Sequence, residues 1–188
     1  MRFSALQRLG LWIVAVASLV TAILLLMWAG LPERSDFSGF VIEGLGYVAP
    51  EIGEIAPPIE AELLSGDEIS LDNLRGKTLI INFWATWCIP CRKEMPYLQE
   101  VFEKHGDQLT VLAINMNEDA DRVRPFIQEF GYTYPILLDP SDDLAAEHNV
   151  RGLPVSFIVG PEGDIVYRRI GEILPEEFDV WLAENLSS

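Results

Sequence analysis

The fold class predicted by this sequence is α/β, a mixed central sheet flanked by helices, and two patterns predict it. Residues 77–84 (KTLIINFW) and 109–115 (LTVLAIN) are near-continuous apolar, β-branched runs that suit strands covered on both faces. Around them, helical stretches alternate with further short strands, and the chain ends in a hairpin and a helix. That order fits an α/β sandwich around a mixed sheet.

The elements follow from the N-terminus. Between Arg8 and Glu33 no residue is charged, and residues 11–31 are almost wholly apolar. About 20 such residues, at roughly 1.5 Å rise each, cover a bilayer core of about 30 Å. A cleaved signal peptide has a shorter apolar core of roughly 7–15 residues, followed by a small-residue cleavage site. Here the run is longer, and Met27-Trp28 near its far end suits an interfacial aromatic. The expectation is therefore an uncleaved signal-anchor over residues 1–31, with a removed signal peptide or burial in the core as alternatives. No cysteine follows the run, which excludes a lipoprotein. Arg2 and Arg8 precede the segment, whereas Glu33 and Asp36 follow it. Basic residues stay on the cytoplasmic side, so the expected location is the cell membrane, single-pass, with the C-terminal body extracytoplasmic. That compartment permits disulfide chemistry.

Residues 32–58 carry Pro, Gly and acidic side chains without a sustained period, as a tether does. Residues 59–64 and 68–71 around Ser65-Gly66-Asp67 read as a hairpin. Residues 72–76 read as a helical turn ending on Gly76. After the strand at 77–84 a helix is predicted over 88–104, with a kink at Pro96. A helix at 119–130 follows the second buried strand and stops at Gly131. Residues 134–138 are an edge-strand candidate, and 141–148 a short helix with Ser141 or Asp142 as cap. Strands at 155–159 and 165–171 flank the Pro161-Glu162-Gly163-Asp164 turn. A helix over 175–186 closes the chain, with Pro175 in its first turn.

At 188 residues the chain has room for one ordinary domain and a further segment. It holds 29 acidic and 13 basic residues, and only Arg2 and Arg8 of the latter fall in the first 31 positions. The body is thus more acidic than the net charge of −16 suggests. Such a surface argues against nucleic acid and against docking on anionic lipid, and leaves a basic protein partner open.

The two cysteines, Cys88 and Cys91, form one Cys-x-x-Cys. A structural disulfide works by closing a long loop in the unfolded chain, and this pair closes almost none. They are poor staples and good reagents. The motif directly follows a buried strand and opens a helix, where free backbone N–H groups and the helix dipole stabilise a thiolate. Cys88 is expected to be exposed and nucleophilic. Cys91, one turn in, is expected to be buried and to resolve a mixed disulfide. Pro90 costs little in the first turn and stiffens the spacing. A zinc site needs four ligands, and the sequence offers this pair plus distant His105 and His148. Both histidines fall on polar helical segments and read as surface residues, so no metal ligand is assigned.

The string NFWATWCIPCRKEMP, residues 82–96, resembles the active-site segment of TlpA/ResA-type thioredoxin-like oxidoreductases. The resemblance runs from about Glu51 to Leu186 and takes in Arg75-Gly76-Lys77, Gly152-Leu153-Pro154 and Pro161-Glu162-Gly163. It implies a thioredoxin-like fold with an N-terminal hairpin extension, placed here at 51–188 after a linker at 32–50. It also implies a redox-active Cys88–Cys91 disulfide and no other cofactor. Pro154 matches the family's cis-proline beside the disulfide, where Leu153 backbone groups pair with an extended substrate. Glu94 matches the acidic residue after the second cysteine; one helical turn from Cys91, a desolvated carboxylate there can exchange its proton near neutral pH. Asn82 stands where thioredoxin itself has a buried aspartate, and an amide takes no proton. Of the tryptophans flanking the motif, Trp87 is assigned to the substrate-facing surface and at least one of Trp84 and Trp87 to packing; Phe83 is assigned to the core, and Thr86 to spacing alone.

The activity implied is thiol–disulfide exchange with protein substrates, in the direction of reduction. Electrons would come from a membrane thiol transporter of the CcdA/DsbD type, and apocytochrome c is the implied client. Three alternatives stand beside it. One is a disulfide-forming oxidant. Another is a peroxiredoxin-like peroxidase, against which Ala85 occupies the position of that family's threonine. The last is a copper-binding or redox-sensing module, whose cysteines are usually spaced more widely.

Overall fold

The computed structural model describes Trp12, Ala17, Ser18, Val20, Thr21 and residues 50–186. The chain divides into two units, Met1–Leu45 and Gly46–Ser188. In the first, the five described residues are helical, and the Thr21 hydroxyl donates to the Ala17 carbonyl at 2.7 Å. The rest of the expected anchor, and the linker apart from Pro50, lie outside the described residues. Among the described residues no helix is long and apolar enough to cross a membrane.

The second unit begins with a hairpin of β1 (Glu60–Glu62) and β2 (Glu68–Ser70), then a 3-10 turn over Leu71–Leu74. There follow β3 (Thr78–Trp84), α1 (Ile89–His105), β4 (Leu109–Met116), α2 (Ala120–Phe130) and β5 (Ile136–Asp139). The chain closes with α3 (Asp143–Glu147), β6 (Val155–Val159), β7 (Ile165–Ile170) and α4 (Pro175–Asn185). The sheet order is β5-β4-β3-β6-β7. β3, β4 and β5 run parallel, while β6 and β7 pair antiparallel to their neighbours.

All seven residues of β3 are buried, as its unbroken apolar run requires of a central strand. Alternation divides them. Leu79, Ile81 and Phe83 join a cluster with Leu112, Ile114, Phe157 and Ala145 of α3. Ile80 and Trp84 join Met95 and Leu98 of α1, Val123 of α2, and Phe178 and Leu182 of α4. Each fully buried Leu, Ile or Phe in these layers contributes on the order of 1.5–3 kcal/mol. Asn82 shares the face of Ile80 and Trp84 by the same alternation, which points an amide into an apolar layer beneath α1.

The stretch before the hairpin crosses the opposite face. Gly53 N–H donates to the Ile165 carbonyl at 2.8 Å and Ala56 N–H to the Gly163 carbonyl at 2.9 Å, next to β7. Ile59 is buried in the core, and Leu64 N–H donates to the Ile136 carbonyl at 2.8 Å on β5. The bridges Ile55–Asp164 and Leu63–Leu137 mark the two ends of this crossing.

Two local expectations need correction. α3 is not capped by Ser141 or Asp142. Asp142 has φ 60° and makes no side-chain cap; Asp139, at the end of β5, accepts from Leu144 N–H at 3.3 Å and Ala145 N–H at 2.9 Å. A carboxylate held on a strand end reaches the helix start better than one in a left-handed turn. His148 is not a surface residue. It is 1% exposed, its ring lies 5.2 Å from Phe83 and 5.6 Å from Phe157, and its Nδ1 pairs with the Leu144 carbonyl at 2.8 Å.

Candidate active site

Strand register gathers the site. Phe83 pairs with Val155 and Trp84 with Asn115, so the turn after β3, the start of β6 and the loop after β4 share one end of the sheet. In open α/β sheets, binding sites form beyond the carboxyl ends of the parallel strands.

Cys88 and Cys91 are joined as a disulfide. Cys88 is the N-cap of α1, and its sulfur accepts from Cys91 N–H at 3.2 Å. The sulfur thus fills the place usually taken by a Ser or Asp oxygen at a helix start. Pro90 sits in the first turn, where its missing N–H costs nothing. Cys91 is fully buried, as expected. Cys88 departs from expectation: in the disulfide it is only 4% exposed, because its sulfur turns inward to its partner. The open surface belongs to its flanks, Trp87 at 62% and Ile89 at 68%. Trp84 is the packing tryptophan, wholly buried beside Phe126, and Phe83 is core.

The Leu153–Pro154 peptide is cis, immediately before β6. Register therefore sets it beside the turn that carries Cys88. Leu153 and Trp87 line a common groove with Met116, Asn117, Val150 and Arg151.

Beneath the disulfide lies a polar cluster that the sequence shows only in part. Glu94, one turn beyond Cys91 on α1, is 1% exposed. Its Oε1 accepts from Asn82 Nδ2 at 2.8 Å and its Oε2 from Ile173 N–H at 2.7 Å. Burial dominates and pushes its carboxyl up to about 7, against the pull of those two hydrogen bonds. Asn82 also donates to Ser156 Oγ at 2.9 Å. The amide that replaces a strand aspartate thus holds the carboxylate supplied by the helix. Ser156 escaped notice because it sits inside an apolar strand sequence.

Thr86, read as spacing, and Glu118, not singled out at all, form a second cluster. Glu118 accepts from both the N–H and the hydroxyl of Thr86, at 2.6 and 2.5 Å. The only sequence sign was an acidic residue at the carboxyl end of a buried strand. His105 and His148 come nowhere near a shared ligand set, and among the described residues no group of His, Cys, Asp and Glu is arranged to hold a metal.

A disulfide at a helix N-terminus, a cis-proline beside it and a β-α-β-α-β sheet with an antiparallel hairpin define a thioredoxin-like thiol–disulfide oxidoreductase. The model of the AhpC/TSA family matches residues 52–168. Thiol-disulfide oxidoreductase ResA of Bacillus anthracis is 32% identical over 165 residues, spanning 87% of this chain and 94% of the relative. The chain belongs to the AhpC/TSA family and is of the ResA type. ResA of Geobacillus kaustophilus is 34% identical, with 85% of this chain and 90% of the relative covered. Among solved structures, StoA from Bacillus subtilis superposes with a TM-score of 0.59 at 29% identity, covering 68% of this chain and 97% of that one. A thioredoxin-family thiol:disulfide interchange protein from Chlorobium tepidum TLS gives 0.66 at 27% identity, covering 74% and 100%.

Proposed function

We propose that this oxidoreductase acts as a reductant of protein disulfides outside the cytoplasmic membrane, held there by its N-terminal segment. Cys88 attacks as a thiolate and bonds to one sulfur of the substrate disulfide, releasing the other as a thiolate that takes a proton. Glu94 accepts the proton of the Cys91 thiol. Cys91 then attacks Cys88, the mixed disulfide breaks, and the second substrate thiol leaves. The substrate gains two electrons and the Cys88–Cys91 pair becomes the disulfide. Trp87, Pro90, Leu153 and Pro154 form the surface that an extended substrate meets. A membrane thiol transporter of the CcdA/DsbD type restores the dithiol, and apocytochrome c is the client this reading favours.

The observation that carries it is the pairing of an N-capping sulfur with a buried carboxyl one turn further on whose proton affinity lies near neutrality. The helix N-terminus supplies a stable thiolate, and Glu94 supplies an acceptor matched to the working pH. The test is the reduction potential of the pair in the full chain. A value below about −250 mV, in the range of thioredoxin, supports the reductant. A value above about −150 mV, near the strong oxidant DsbA, overturns the direction.

A further inference from the structure

The Glu118 cluster lies outside the proton path just described. We propose that Glu118 is a positioning residue for thiol–disulfide exchange: its carboxylate pins the turn that carries Cys88 and, balanced by Arg122, sets how readily the Cys88 sulfur ionises.

Glu118 follows the carboxyl end of β4 and is 6% exposed. Its Oε2 accepts from Thr86 N–H at 2.6 Å and from Asn115 Nδ2 at 2.9 Å. Its Oε1 accepts from the Thr86 hydroxyl at 2.5 Å and pairs with Arg122 Nε at 2.8 Å. Arg122 Nε also donates to Thr86 Oγ1 at 3.2 Å, which closes the ring of contacts. Both hydrogen-bond donors of Thr86 are thus committed to one side chain from the loop after β4. Thr86 in turn belongs to the tight turn in which Cys88 N–H donates to the Ala85 carbonyl at 3.1 Å. Fixing Thr86 therefore fixes the approach of the chain to the N-cap.

The same contacts make a standing charge. Burial alone would push the Glu118 carboxyl up, but the Thr86 hydroxyl and N–H, the Asn115 amide and Arg122 together hold it below its ordinary value. It is held in its ionised form at neutral pH. Glu118 binds Thr86, two residues before Cys88, so its anion sits on the turn that carries the sulfur and opposes a thiolate there. Arg122 favours that thiolate but stands 64% exposed, where water screens it.

The two partners therefore predict shifts of opposite sign, read as the rate of Cys88 alkylation against pH and as the equilibrium with glutathione in the full chain. Glu118→Gln moves the Cys88 titration to lower pH. It shifts the equilibrium up to about tenfold toward the dithiol, or about 30 mV less negative. Arg122→Gln moves the titration to higher pH. Shifts of the same sign, or an unmoved titration with a lowered denaturation midpoint, would reduce Glu118 to a structural carboxylate and overturn the proposal. Should Glu118→Gln fail to fold, the exposed Arg122→Gln decides alone: a raised titration supports the proposal and an unchanged one overturns it.

Discussion

Asn82 Nδ2 lies 2.8 Å from Glu94 Oε1, so the central strand and the active-site helix meet through one amide–carboxyl hydrogen bond, beside Ser156, in a largely apolar layer. Burial pushes the Glu94 carboxyl up, and this bond, with the one from Ile173 N–H, holds the rise to about 7.

The first consequence is a pH-dependent stability. Glu94 has its folded value raised from 4.5 to about 7. Below pH 4.5 folded and unfolded chains both hold this proton; above it the unfolded chain releases it first. The stabilisation is full in acid and is lost as pH rises through about 7, amounting to on the order of 3 kcal/mol. Urea midpoints of the disulfide form, measured across this window, should fall with rising pH. Glu94→Gln should flatten that fall.

Asn82→Ala leaves Glu94 Oε1 and Ser156 Oγ without this donor in a buried layer. A cost of about 1–3 kcal/mol is expected. The Asn82 bond lowers the Glu94 value, so its loss should also move the pH window of the previous measurement upward. A variant that unfolds more easily but keeps the same window would separate the amide from the carboxyl.

His148 should act in the opposite sense. Burial pushes its imidazole below the ordinary 6.5, so its neutral form belongs to the fold. The stabilisation is complete above 6.5 and is lost as pH falls, since the unfolded chain gains a proton that the buried ring resists. His148→Gln should lose stability at pH 8 yet show a weaker acid-induced loss than the parent. Proton uptake on unfolding, followed in weakly buffered solution, gives the same answer independently.

At Asp139, replacement by Ala removes two N–H partners from the first turn of α3. A loss of about 0.5–2 kcal/mol is expected from the denaturation midpoint, while Ser141→Ala should change little.

Gly163 has φ 89°, and a Cβ there would collide with the Arg75 guanidinium, which donates to the Glu162 carbonyl. Gly163→Ala should destabilise through the left-handed backbone, at a cost of about 1–2 kcal/mol, because the guanidinium at the end of a flexible side chain can move aside. Adding Arg75→Ala should leave that backbone cost in place.

The sheet was legible in the sequence because its central strands carry side chains on both faces and leave no other reading for KTLIINFW or LTVLAIN. The Cys-x-x-Cys was legible because it stands between such a strand and a helix. Contacts across the fold were not. Asn82 and Glu94 each drew notice, but their bond joins residues twelve apart on different elements. Glu118 reaches back 32 positions to Thr86. His148 was misread because α3 has five residues, too few for periodicity to define an inner face. Asp139 was missed because its cap comes from the end of the preceding strand rather than from the adjoining turn.

The crossing of residues 53–64 beneath the sheet has a mechanical consequence. A pull on the chain at Pro50 is taken up first at Gly53 and Ala56, by hydrogen bonds to the β6–β7 turn and the start of β7. Tension passing that point must drag Ile59 out of the core before it reaches Leu64 and β5. β3, which leads into Cys88, lies at the centre of the sheet and makes none of these marginal hydrogen bonds. A tug from the N-terminal side therefore meets the edges of the sheet before the strand that carries the sulfurs.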